Sequence, residues 1–189
     1  MTSDTAARVF TDICSMLRSS WERALPARAQ YSDPDWSPSV WGAMLQCKAA
    51  GFFERSLAAS RAKWQLVDLH QRKCFVFPDR GVLCLKKVNS QFQPSGNDTD
   101  LSDDYYEQRQ LPGIPNLPHF VCGCIVSEDE GELLGVYFIH TKSRLQNNWV
   151  FEIGADGPQD LIDRQPLGLP GSPLTLIPRI GRGIAHGKS

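Results

Sequence analysis

The stretch CFVFPDRGVLCL, residues 74–85, decides the reading of this chain. Two short apolar runs, Cys74–Phe77 and Val82–Leu85, flank Pro78-Asp79-Arg80-Gly81. Short apolar runs bounded by proline, aspartate and glycine read as strands joined by a turn, so a β-hairpin is expected here. Working outward, Trp64–Leu69 reads as a preceding strand. Phe120–Val126, Leu133–His140 and Trp149–Ile153 read as a following meander, with turns at Glu128–Gly131 and Lys142–Asn148. A meander with alternating burial predicts a mainly antiparallel sheet with one face solvated or functional.

Ahead of the strands the period changes. Ala6, Phe10, Ile13, Leu17 and Trp21 recur at helical spacing among charged residues, and Pro26 closes that helix. Ser37-Pro38 is a helix-start signature, an N-cap side chain followed by a ring preset for the first turn. The second helix carries Val40, Trp41, Met44, Leu45, Cys47 and Ala50, with Gly51 as a candidate break before Phe52, Phe53 and Leu57. The expected fold is α+β: N-terminal helices packed on a mainly antiparallel sheet of about five to six strands. Residues 1–157 form one domain, helical over 3–60 and β-rich over 63–153. A Pro/Gly-rich basic tail over 158–189 is expected to be flexible.

Bulk composition excludes several classes. The chain has 189 residues, 41% hydrophobic and 22% charged, with a formal net charge of -1, an ordinary globular balance and not that of a wholly basic nucleic-acid binder. No run approaches the ~20 apolar residues of a membrane span. The N-terminus lacks the pattern of a signal peptide. Four of the six cysteines fall in apolar strand-like runs, which points to reduced, buried thiols and a cytoplasmic location.

Few residues carry recognisable chemistry. A restriction-endonuclease-like site needs an acid at a strand end, then a second carboxylate two residues before a lysine. Asp79 and Lys86 stand near those positions, but Cys84 takes the place of the second carboxylate. His119, Cys122 and Cys124 cluster in sequence, and Cys74 and Cys84 face each other across the expected hairpin. Without a repeated CxxC pair these read as core cysteines, and no metal or cofactor is implied. No GxSxG elbow, P-loop or EF-hand loop is present.

The connection Asn89–Pro118 is long, acidic at its centre (Asp98, Asp100, Asp103, Asp104, Glu107), and holds a short helix near Leu101–Gln110. A loop of that length in a compact domain is more often functional than filler. Its end, Leu111, Pro112, Ile114 and Leu117, is apolar and stiffened by prolines, and is expected to be an exposed partner-docking surface. Lys86, Lys87, Arg179 and Arg182 are the basic side chains that would gather on nucleic acid, with Tyr105, Tyr106 and Trp149 available to stack on bases.

Leu85–Asn89, Asn97-Asp98-Thr99, Gln108–Gly113, Val121-Cys122-Gly123 and Trp149–Ile153 together resemble small bacterial proteins of prophage and toxin–antitoxin neighbourhoods. Those proteins are often encoded beside helix-turn-helix or metallopeptidase-like partners. The resemblance spans residues 60–153, with loose motifs and no catalytic residues to carry over. It implies a cytoplasmic conflict-system role with a protein partner. The alternative is a toxin enzyme acting on nucleic acid, with Asp79 as metal ligand or base, Lys86 and Arg109 stabilising phosphate charge, and Gln108 beside them.

Overall fold

Two helices lead into a sheet whose strands follow one another in chain order. The structure, a computed structural model, describes residues 3–26, 37–69, 72–95, 99–127, 132–154 and 157–161. Helix α1 spans Ser3–Ala24 and α2 Pro38–Ala58. The strands are β1 (Gln65–Leu69), β2 (Arg72–Phe77), β3 (Gly81–Lys87), β4 (His119–Val126), β5 (Leu133–Ser143), β6 (Gln146–Gly154) and β7 (Gly157–Leu161). A short helix, α3 (Asp100–Tyr106), lies between β3 and β4. The α+β class holds. The sheet has seven strands, one more than the upper expectation, because β7 continues past Ile153 into the stretch assigned to the tail.

Every neighbouring pair of strands is antiparallel except β3 and β4, which run parallel. The exception follows from the length of residues 88–118. A hairpin turn reverses a strand, whereas parallel neighbours need a crossover of a dozen or more residues. The long connection is that crossover.

The alternation of side chains across a strand divides the core in two. One face carries Phe75, Phe77, Leu83, Leu85, Cys122, Cys124, Phe138 and Phe151 against Ile13, Cys14, Leu17 and Trp21 of α1 and Leu45, Ala49, Phe53 and Leu57 of α2. Those spacings are the apolar stripes of two amphipathic helices. Ser37 caps α2, its Oγ accepting from the Val40 N–H at 3.4 Å, with Pro38 following in the first turn. Gly51 does not interrupt α2.

The other face, covered by the crossover, buries Cys74, Val76, Val82, Cys84, Val121 and Ile139 under Tyr105, Tyr106, Leu111 and Ile114. A Cβ at Gly123 would come within 2.8 Å of Ile139 and 2.9 Å of Val88, so only glycine admits the crossover this close to β4. None of the helices among the described residues is long and apolar enough to cross a membrane.

Candidate functional site on the crossover face

Tyr105 sits at the end of α3 and points into the parallel seam. Its hydroxyl lies 3.1 Å from the Val82 carbonyl on β3 and 2.7 Å from the Phe120 carbonyl on β4, donating to the two strands at once. His119 stacks on the Tyr105 ring with centroids 4.8 Å apart, and its Nδ1 lies 3.0 Å from the Tyr105 carbonyl. A carbonyl can only accept, so Nδ1 carries the proton. Desolvation lowers the His119 pKa, partly offset by that hydrogen bond, so the ring is held neutral.

Gln108, in a left-handed conformation at φ 63°, fills the gap between β4 and β5. Its Nε2 donates to the carbonyls of His119 (2.9 Å) and Thr141 (3.2 Å), and its Oε1 accepts from the His119 N–H at 2.7 Å. Thr141 Oγ1 in turn donates to the Tyr106 carbonyl at 2.8 Å. These groups do structural work: they satisfy backbone atoms where a loop meets strand ends.

The four residues proposed for catalysis do not converge. Asp79 lies in the exposed β2–β3 turn, before β3 begins, and Lys86 lies near the far end of that strand. At about 3.3 Å per residue they are separated by roughly 20 Å. Gln108 spends its amide on backbone groups. Arg109 is exposed and held by Asp104, at 3.1 Å, and by Glu107.

The docking-loop expectation also changes. Leu111 and Ile114, only 1% and 4% exposed, belong to the crossover-side core. Leu117 is half-buried and Pro112 exposed. Proline stiffening does not mark exposure here: it shapes a chain that folds back to cover the sheet. Lys86 and Lys87, being consecutive in a strand, face opposite sides of the sheet. Arg179 and Arg182 lie outside the described residues.

The same alternation separates the thiols. Cys122 and Cys124 point to the helices, whereas His119 points to the crossover. Cys74 and Cys84 are paired across β2–β3 on the crossover side, as the hairpin reading expected. All four are buried, and desolvation raises the pKa of Cys74, Cys122 and Cys124, which keeps those thiols protonated and poorly nucleophilic. No group of three or more potential metal ligands occurs among the described residues.

Two clusters not singled out from sequence emerge. On the crossover face, Arg72 stacks over Tyr105 and Tyr106, 5.6 and 5.5 Å from the ring centroids, and donates to Ser102 Oγ at 2.7 Å. On the helix face, Phe120, His140 and Trp149 are register partners on three adjacent strands and form a half-buried aromatic row. Within that row Trp149 is legible from sequence as a stacking candidate; the other two stacking candidates, Tyr105 and Tyr106, are buried under the crossover. The row depends on strand register, which no local pattern encodes.

No family model, curated protein or solved structure matches this chain.

Proposed function

We propose that this chain is a non-catalytic, cytoplasmic protein-interaction component of a bacterial toxin–antitoxin or phage-conflict system. The observation that supports a binding role over a catalytic one is the dispersal of the would-be catalytic groups. Asp79 and Lys86 stand at opposite ends of β3, Gln108 is consumed by backbone atoms, and Arg109 is neutralised by two carboxylates. General acid–base or metal-assisted chemistry needs such groups within hydrogen-bond reach of one reacting centre.

With Leu111 and Ile114 committed to the core, the interaction surface shifts to the sheet. The β5–β6 hairpin offers Leu145 at its tip, 69% exposed, on the two strands that carry His140 and Trp149. Partly exposed aromatics beside an aliphatic tip are the composition of interface anchors.

The test has two arms. Induced expression of wild type, Asp79→Ala and Arg109→Ala should give indistinguishable growth. Arrest with nucleic-acid loss that either substitution abolishes would establish the enzyme instead. In the second arm, calorimetry against the product of the adjacent gene should show binding weakened at least ~10-fold by Leu145→Asp. Unchanged affinity in that folded variant would discard the hairpin surface.

A further inference from the structure

Cys74 and Cys84 stand directly opposite each other on β2 and β3, and both are free thiols. The hydrogen bonds of β3 fix the kind of pair they form. The Val82 N–H donates to the Pro118 carbonyl at 2.8 Å, and the Val82 carbonyl accepts from Tyr105, so both of its backbone groups face the β4 side. Backbone direction alternates along a strand, so Cys84, two residues on, also turns its N–H and carbonyl away from β2. Cys74 and Cys84 are therefore a non-hydrogen-bonded antiparallel pair. Such partners are the closest in a sheet, about 4.5 Å between Cα atoms, inside the roughly 4.4–6.8 Å that a disulfide spans.

Opposed residues project from the same face of a sheet. Here that is the crossover face, where both side chains are 0% exposed beneath Tyr105, Tyr106, Leu111 and Ile114. The remaining cysteines are elsewhere. Cys14, Cys122 and Cys124 lie on the helix face, and Cys47 is exposed on α2.

We propose that Cys74 and Cys84 form a reversible oxidation site, which closes to a cross-strand disulfide by exchange with a small-molecule disulfide. One cysteine gives up its proton and attacks the reagent's S–S bond, expelling one thiol and leaving a mixed disulfide. The opposed cysteine attacks that bond, expels the second thiol and completes the S–S bond within the protein. Two S–H bonds are lost, two electrons pass to the reagent, and two protons leave with the released thiols. The site makes no use of the β5–β6 interaction surface.

Access sets the rate. No reagent reaches the pair until the crossover lifts, and burial raises the Cys74 pKa, which keeps that thiol protonated while the cover is seated. Oxidation of the pair thus reports opening of the crossover. Once formed, the bond ties β2 to β3 and restricts the unfolded chain over residues 74–84.

The test uses the full chain carrying Cys47→Ser, which removes the exposed thiol. The protein is incubated with hydroxyethyl disulfide, alkylated, and read by intact mass and peptide mapping. The expected product has lost two hydrogens, carries a Cys74–Cys84 bond, and reverts with mercaptoethanol. Cys74→Ala and Cys84→Ala should each abolish it. Ile114→Val, or urea below the unfolding transition, should speed the reaction several-fold, and the oxidised protein should melt several degrees above the reduced one. No Cys74–Cys84 bond even in urea just below the transition, or a bond mapped to another pair, overturns the site. A lower Tm for the oxidised protein overturns the opposed-strand geometry. A rate indifferent to both Ile114→Val and urea overturns the gating by the crossover.

Discussion

The two faces of the sheet are solved by different chemistry. The helix face is an apolar layer. Phe53 meets Phe75 edge-on at 4.9 Å, Phe10 meets Phe138 at 5.6 Å, and in its depth Trp21 Nε1 donates to Cys122 Sγ at 3.4 Å. The crossover face is covered by irregular chain, which brings backbone polar groups into the interior. Tyr105, Gln108, His119 and Thr141 exist there to satisfy them. Helices satisfy their own backbone and loops do not, so a face covered by a loop must carry its own polar side chains. The difference also locates function: charge and titratable groups collect where the covering layer already tolerates polarity.

Substitutions measure that contrast. The largest effect is expected from Leu111→Asp, which places a carboxylate in a fully buried apolar site. Destabilisation should exceed about 4 kcal/mol, and urea unfolding should find little native protein. Phe53→Ala on the helix face, a pure cavity, should cost about 3–5 kcal/mol by the same measurement. If Leu111→Asp proves the milder of the two, the crossover is more loosely seated than its burial implies.

Gln108→Ala probes the polar layer alone. It leaves the His119 N–H without its acceptor and should cost about 1–3 kcal/mol, with faster amide exchange confined to the β4–β5 end. A loss below a few tenths of a kcal/mol would mean that water replaces the amide there.

The smallest effect is a pH dependence. Burial lowers the pKa of both His119 and His140, and charge on His119 further opposes protonation of His140. The unfolded chain therefore binds protons more readily than the folded one. Stability from these neutral rings is fully present above the ordinary histidine pKa of about 6.5, and is lost as pH falls through the depressed folded values. Midpoints of urea unfolding between pH 7.5 and 5 should decline, and His119→Gln should flatten the decline. Phe53 packs edge-on against Phe75 and carries no titratable group, so Phe53→Ala should leave the pH slope intact.

The elements were legible in the sequence because they rest on local signals. Ser37-Pro38 marks the start of α2, residues 74–85 mark a hairpin, and Leu101–Gln110 marks a short helix, observed at Asp100–Tyr106. What escaped was long-range. The parallel sense of β4 and the burial of Leu111 both depend on where residues 88–118 come to rest, and nothing within those residues states it. Composition misled for the same reason: a proline-bounded apolar segment looks alike whether it faces solvent or a sheet. The cysteines were read correctly as buried thiols, since five of six are buried, Cys47 being the exposed one.

The parallel pairing of β3 with β4 carries a consequence for how the molecule assembles. On either side of it, β1–β3 and β4–β7 are runs of antiparallel neighbours whose contacts are close in sequence and cheap in chain entropy to form. The seam between them can close only after some thirty residues of crossover have been ordered, and Tyr105 rivets it by donating to both strands. Loop closure of that kind comes late and slowly. The protein is therefore two prefabricated halves with a weld line. Kinetic traps, and protease cuts during folding, should concentrate along that line and not within either half.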